Sequence, residues 1–245
     1  MAEKTLNIHT VDGEMETFIA HPDGNESNPV VVVYMDAPGI REELYDFARR
    51  IAAKGYYAVL PDLYYRRGHV RFDVSQMTVA DREEMFGHMN SLTNAYVIED
   101  TRSLLNMLEG EAAATRGPKG CVGYCMSGQF VMSVAGTFPE HFQASVACHG
   151  VGIVTDEPDS PHLLAPNLRG EIFFAFAQRD KYVPDGVMET LRRNLEEHGV
   201  GHAIDVYAGT EHGFCFPQRS WCYVEDAAEY VWRRSFEMWD RRLRA

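Results

Sequence analysis

The sequence has no run that approaches the roughly 20 consecutive apolar residues of a transmembrane helix. Its first residues, MAEKTLN, lack the basic-then-apolar order of a secretory signal, so we expect a cytoplasmic protein. Positive charge is scarce too, because 23 Lys and Arg stand against 36 Asp and Glu, a formal net charge of −13. Such a chain lacks the basic surface that neutralises phosphates, and we expect neither nucleic acid nor a membrane as a partner.

Cysteine is also scarce. The five cysteines are an odd number, which excludes a complete disulfide framework and makes reduced thiols the expectation. Cys121 and Cys125 lie four residues apart, but no second close pair of Cys or His residues completes a zinc site. The sequence therefore predicts neither a metal nor an organic cofactor, and it leaves open that one cysteine is chemically active.

Apolar runs and amphipathic segments alternate along the chain, without an internal repeat or a linker-like segment. Residues 30–35 form an unbroken apolar run, typical of a strand buried on both faces of a parallel sheet. Leu44, Phe47 and Ile51 then form one stripe of a helix that ends at Gly55. Further strands are predicted at about 56–60, 120–124, 144–148, 172–177 and 203–207, and further helices at about 94–108, from 127, at 185–198 and at 224–243.

This alternation predicts one α/β domain over residues 1–245, with a mostly parallel central sheet flanked by helices. Asp12-Gly13 lies between two alternating stretches and predicts an antiparallel hairpin at the N-terminus. Two segments, at about 61–93 and 150–170, do not follow the alternation and are predicted to be insertions.

The segment Gly123-Tyr124-Cys125-Met126-Ser127-Gly128 joins a predicted strand to a predicted helix. This is the context of a nucleophile elbow, where a sharp turn presents a nucleophile above the sheet edge and small neighbours avoid clashes. The helix N-terminus favours a thiolate, the reactive form of cysteine. Cys125 is therefore the predicted nucleophile, although Ser127 stands where the second glycine of the pattern is usual.

In α/β-hydrolases the nucleophile is followed in the chain by an acid and then by a histidine. Asp180 follows one predicted strand and His212 follows the next, so both lie at the sheet edge where such folds place their sites. Cys125, Asp180 and His212 are the predicted triad. His149 also ends a strand and is the strongest rival base, but it precedes Asp180 in the chain.

An oxyanion hole needs two preorganised donors. The N–H of Met126 follows the nucleophile, and Ala37 supplies the predicted second N–H from the loop after the strand at 30–35. Asp36 places a carboxylate beside the expected thiol, where it would oppose thiolate formation. We interpret Asp36 either as a solvated loop acid or as a modulator of the nucleophile.

The residues YMDAPG (34–39), GYCMSG (123–128), RDKYVP (179–184) and GTEHGF (209–214) together resemble the dienelactone hydrolase family of α/β-hydrolases. The resemblance extends from about Thr5 to the last helix. It implies a Cys-Asp-His triad at the three positions above, oxyanion donors at Ala37 and Met126, and a carboxylate that holds the resting thiol. The family usually has Glu at that last position, one methylene longer than Asp36.

The resemblance also implies arginines that bind a substrate carboxylate, one of them four residues after the catalytic histidine. That position is Phe216 here. Arg82 lies near the place of the family's other arginine, and Arg219 or the pair Arg66-Arg67 could compensate. Residues 41–82 carry eight basic and six acidic side chains, a local excess compatible with an anionic substrate.

These features predict a hydrolase of small esters or lactones, of the carboxymethylenebutenolidase type. Tyr65, Phe214 and Trp221 are predicted, with Arg82, to contact the substrate, because ligand pockets are mostly apolar with few polar anchors. The alternatives are a carboxylesterase or thioesterase of the same fold, a non-catalytic ligand-binding relative, and an amidotransferase-like cysteine enzyme. The sequence does not predict the oligomeric state.

Overall fold

The computed structural model describes residues 1–244 and contains one eight-stranded mixed sheet. The strands are β1 (Ala2–Thr10), β2 (Gly13–His21), β3 (Val30–Tyr34), β4 (Tyr57–Pro61), β5 (Lys119–Tyr124), β6 (Phe142–Cys148), β7 (Glu171–Arg179) and β8 (His202–Glu211). Their order across the sheet is β1-β2-β4-β3-β5-β6-β7-β8. The pairs β1–β2 and β2–β4 are antiparallel, and every other neighbouring pair is parallel.

Residues 1–244 contain six α-helices: α1 (Glu42–Ala52), α2 (Val79–Met89), α3 (Asn94–Leu108), α4 (Ser127–Thr137), α5 (Val187–Glu197) and α6 (Glu225–Leu243). All of them except α2 pack against the sheet. Helix α1 contacts α6 through Phe47 and Trp232, whose ring centroids lie 5.4 Å apart, while α3 packs against α4. Strands β3, β4 and β5 are buried along their whole length, which explains why their sequences do not alternate. Within residues 1–244, no helix combines the length and the apolar character needed to cross a membrane.

The α/β-hydrolase fold is confirmed, including the mostly parallel sheet and the antiparallel hairpin, in which Thr10 pairs with Gly13. The structure differs from the sequence prediction in two places that matter for the site. Strands β7 and β8 continue to Arg179 and Glu211, beyond the predicted ends at 177 and 207. The segment 61–93 contains helix α2, whose capping box joins Thr78 and Asp81.

Candidate active site

Cys125 lies between the end of β5 and the start of α4. Its φ of 54° is in the left-handed region, where a non-glycine residue is uncommon and strained. Three backbone hydrogen bonds hold it there: Cys125 N donates to Cys148 O at 3.1 Å, and Gly128 N and Val151 N each donate to Cys125 O at 3.0 Å. The turn thus presents a partly exposed cysteine at the N-terminus of α4, as the elbow pattern predicts.

Glycines on either side allow this turn. A Cβ at Gly123 would lie 2.6 Å from the carbonyl oxygen of Ser127, and a Cβ at Gly128 would lie 2.3 Å from the Cα of Gly150. Both distances are far inside van der Waals contact. Gly128 therefore allows α4 to approach the loop that follows β6.

Ser127 takes the place of the usual second glycine without a clash and adds a contact. Its buried Oγ donates a hydrogen bond to the carbonyl oxygen of Met35 at 2.5 Å. Met35 immediately precedes the loop that contains the predicted oxyanion donor Ala37. Ser127 therefore connects the elbow to the loop on the neighbouring strand.

The structure brings Asp180 and His212 together. Nδ1 of His212 donates to Oδ2 of Asp180 at 2.7 Å, and the two side chains are only 13% and 3% exposed. Asp180 also accepts a hydrogen bond from the backbone N–H of Tyr182 at 3.0 Å. These bonds fix the ring orientation and direct the other ring nitrogen, Nε2, away from Asp180.

The environment of His212 favours its protonated form. Burial disfavours the imidazolium, but the Cys125 side chain and the Asp180 carboxylate outweigh it and raise the pKa of His212 to about 9. Nε2 is buried and has no hydrogen-bond partner among residues 1–244. A cationic histidine beside the cysteine stabilises a thiolate.

His149, the rival base, lies directly behind His212. Its side chain is fully buried, and its ring meets the His212 ring edge-on with centroids 5.0 Å apart. Burial, together with the charges of His212 and Arg219, lowers the pKa of His149 well below its ordinary value. A buried neutral ring in this position supports His212 and is closed to substrate.

The predicted oxyanion residues Ala37 and Met126 share a contact that sequence reasoning missed. The hydroxyl of Tyr64 donates to Ala37 O at 2.9 Å and lies 3.5 Å from Met126 Sδ. The backbone N–H of Phe72 donates to Pro38 O at 3.0 Å, so the segment after β4 supports the same loop. The distance from Tyr64 to Ala37, 27 residues along the chain, explains why no local pattern revealed this contact.

Asp36 lies in a buried charge network. Its carboxylate accepts hydrogen bonds from Arg41, at 2.6 Å, and from Arg219. Arg41 also donates to Glu43 at 2.6 Å, and Glu43 accepts from the backbone N–H of Gln218 at 2.8 Å. Burial alone would raise the pKa of Asp36, but Arg41 and Arg219 outweigh it, so the pKa lies below its ordinary value. The solvated interpretation of Asp36 is therefore wrong.

Phe216, at the position of the family's arginine, is part of the same network. The guanidinium carbons of Arg219 and Arg41 lie 4.2 and 5.0 Å from the centroid of its ring. The ring is fully buried and contacts His149, with centroids 5.5 Å apart. Phe216 is uncharged, and its ring packs against two paired arginines close to the loop that follows β8 and contains His212, the histidine loop.

The four predicted substrate contacts are not brought together. The hydroxyl of Tyr65 bonds to Thr10 and Asp100, and Phe214 is fully buried against His149. Trp221 is 63% exposed after the histidine loop, and Arg82 is exposed on α2. The side chain of Phe214 has no accessible surface, so it lines no open pocket in this structure.

One cluster outside the site has metal-ligand chemistry. Ligand atoms of Glu16, Asp62 and His69 lie within 4.8 Å of one another. Arg71 donates to Asp62 at 2.8 Å and approaches Glu16 at 3.5 Å. An arginine therefore already supplies the positive charge that a cation would bring.

Comparisons with known proteins identify the family of this chain. Residues 15–243 match the model of the dienelactone hydrolase family. A Synechocystis protein named "Putative carboxymethylenebutenolidase" is 23% identical over 93% of this chain and 92% of its own length. A Yersinia pestis protein of the same name is 27% identical over 91% of this chain and 82% of its own length. A crystal structure titled "Putative Dienelactone Hydrolase" from Klebsiella pneumoniae superposes with a TM-score of 0.87 at 22% identity, covering 98% of both chains.

Proposed function

The chain belongs to the dienelactone hydrolase family and is a hydrolase of ester bonds, and we propose that it hydrolyses small esters or lactones with the triad Cys125, His212 and Asp180. The observation that carries this proposal is the strained elbow at Cys125 beside a histidine that bonds to a buried carboxylate. Such a set has the nucleophile, the base and the orienting acid of covalent acyl transfer.

The reaction has two stages. The thiolate of Cys125 attacks the ester carbonyl carbon, and the N–H groups of Ala37 and Met126 stabilise the oxyanion. When the tetrahedral intermediate collapses, the bond between carbon and the leaving oxygen breaks, and His212 gives its proton to that oxygen. A water molecule, deprotonated by His212, then attacks the thioester, releases the acid and restores Cys125.

Asp36 acts in this proposal through the loop that follows it. Both of its oxygens accept hydrogen bonds from guanidinium groups, so the charge that would oppose a thiolate is already compensated. The carboxylate fixes the loop that bears Ala37 against α1 and the histidine loop. We therefore propose that it tunes the nucleophile by placing the oxyanion donor and not by holding the thiol.

A substrate screen on purified protein tests the function. Small lactones, aryl esters and acyl thioesters are assayed with the wild type, with Cys125→Ala, and with Lys181→Ala as an exposed control. We expect turnover by the wild type and the control, and a loss of at least about 10³-fold with Cys125→Ala. Full activity of Cys125→Ala would overturn the assignment, and turnover of thioesters alone would make the protein a thioesterase. Absence of any turnover, with Cys125 alkylated no faster than a denatured control, would favour a non-catalytic binding protein.

A further inference from the structure

The arginines beside the active site are already neutralised. Asp36, Arg41, Glu43 and Arg219 form one buried network with two negative and two positive charges. Each guanidinium has a carboxylate partner inside the chain. A substrate carboxylate that entered here would find no uncompensated positive charge, and it would meet Asp36 as a competitor.

The ring of Phe216 also covers one face of each of these two guanidinium groups. An arginine at this position would have added a net positive charge beside the histidine. The buried phenyl ring leaves the net charge of the network unchanged and makes this side of the site apolar. Both effects disfavour an anionic ligand, because a carboxylate loses its hydration without a compensating partner.

Residues 41–82 carry an excess of basic side chains, which suggested an anionic substrate. Most of these basic side chains form ion pairs with carboxylates of the chain. Five of the eight basic side chains bind carboxylates. Arg41 pairs with Asp36 and Glu43, and Arg49 pairs with Glu3, Glu42 and Asp46. Arg50 pairs with Glu229, Arg66 pairs with Asp12 and Asp100, and Arg71 pairs with Asp62 and Glu16. Arg82 is exposed on α2, where solvent and salt screen its charge. The net charge of −13 adds a long-range field that repels anions.

We propose that the active site selects uncharged esters and lactones, and that Asp36 determines this preference by neutralising Arg41 and Arg219. The inference rests on the proposed function, since it names the substrate class of the same site. It assigns Asp36 a role in specificity in addition to its role in placing Ala37.

Matched substrate pairs test the proposal. One pair is a carboxymethylidene butenolide and its primary amide, and the other is 4-acetoxybenzoate and 4-acetoxybenzamide. The two members of each pair have nearly the same size and differ by one charge. We expect kcat/KM of the wild type to be at least about tenfold higher for the amide of each pair.

The variant Asp36→Asn keeps the shape of the side chain but leaves one uncompensated positive charge. We expect it to shift the acid-to-amide ratio of kcat/KM toward the acid by about tenfold, whatever its effect on the absolute rates. Asp46→Asn makes the same change in net charge at an exposed position on α1 and should leave the ratio unchanged.

The outcomes separate the two proposals. If no member of either pair is hydrolysed and the substrate screen also gives no turnover, the proposed function fails. If the wild type hydrolyses the acid as fast as the amide or faster, only the inference on substrate charge is overturned, and Arg82→Ala then tests whether this exposed arginine binds the carboxylate. An unchanged ratio in a folded Asp36→Asn variant would remove Asp36 as the determinant.

Discussion

Asp180 and His212 meet because they follow paired residues of neighbouring parallel strands. Arg179 on β7 is the register partner of Glu211 on β8, and the next residue in each chain segment is the acid or the base. A register shift between Ala177 and Arg179 brings these two residues opposite each other. The hydrogen bond of 2.7 Å between Nδ1 and Oδ2 therefore depends on this irregularity at the ends of β7 and β8.

The variant Asp180→Asn tests this relationship. The amide keeps the size of the side chain but cannot hold the imidazolium or enforce the correct tautomer, so kcat/KM should fall by about 10³-fold or more. The exposed Asp185→Asn in the same loop is the control. Steady-state kinetics with a wild-type circular dichroism spectrum would measure the effect, and a loss of less than about tenfold would contradict the assignment.

The pH profile follows from the pKa of His212. Because the imidazolium must protonate the leaving oxygen, kcat/KM should fall as the pH rises through about 9, where His212 loses its proton. Asp180 contributes to the raised pKa, so the Asp180→Asn variant should show this descending limb at lower pH. A wild-type profile that stays flat well above this pH would contradict the prediction.

The hydroxyl of Ser127 should contribute to stability and to activity. Ser127→Ala leaves the buried carbonyl of Met35 without this donor, and we expect the free energy of unfolding to fall by about 1–2 kcal/mol. Urea denaturation measures this loss. Because the bond joins the elbow to the loop that contains Ala37, kcat should fall while KM stays nearly constant. Equal changes in kcat and KM would indicate a general loss of structure.

Breaking the buried network should be far more costly than breaking a surface pair. Arg219→Met leaves Asp36 with one fewer cation, and the free energy of unfolding at neutral pH should fall by about 3–5 kcal/mol. Arg102→Met, which removes an exposed pair with Glu99, should cost less than about 1 kcal/mol. Equal losses in the two variants would show that the network does not hold the loops together.

The same network predicts that the free energy of unfolding decreases at acidic pH. The pKa of Asp36 is lower in the folded chain than in the unfolded chain, so its contribution is complete above about pH 4 and is lost as the pH falls through the folded-state value. The Arg219→Met variant should therefore lose less stability than the wild type on acidification. Urea midpoints measured between neutral and acidic pH would show the difference.

The sequence predicted the fold, and it predicted a triad of which the structure joins Asp180 and His212 by a hydrogen bond, because both predictions depend on local patterns in a fixed chain order. Cys125 is marked by small neighbours, and Asp180 and His212 by the strands that precede them. The pair Asp36 and Arg219 has no such signal, since 183 residues separate them. Helix α2 had a signal, the Thr78 to Asp81 spacing, but its weak apolar periodicity concealed it.

Cys125 and His149 are the non-glycine residues with positive φ among residues 1–244, and they follow the adjacent strands β5 and β6. The left-handed conformation costs a residue with a Cβ about 1–2 kcal/mol. Glycine at Cys125 would relieve that strain and remove the proposed nucleophile, whereas glycine at the fully buried His149 would leave a cavity that costs more than the strain. Selection for thermal stability alone would therefore favour a change at Cys125 that inactivates this enzyme, a trade-off confined to the end of β5.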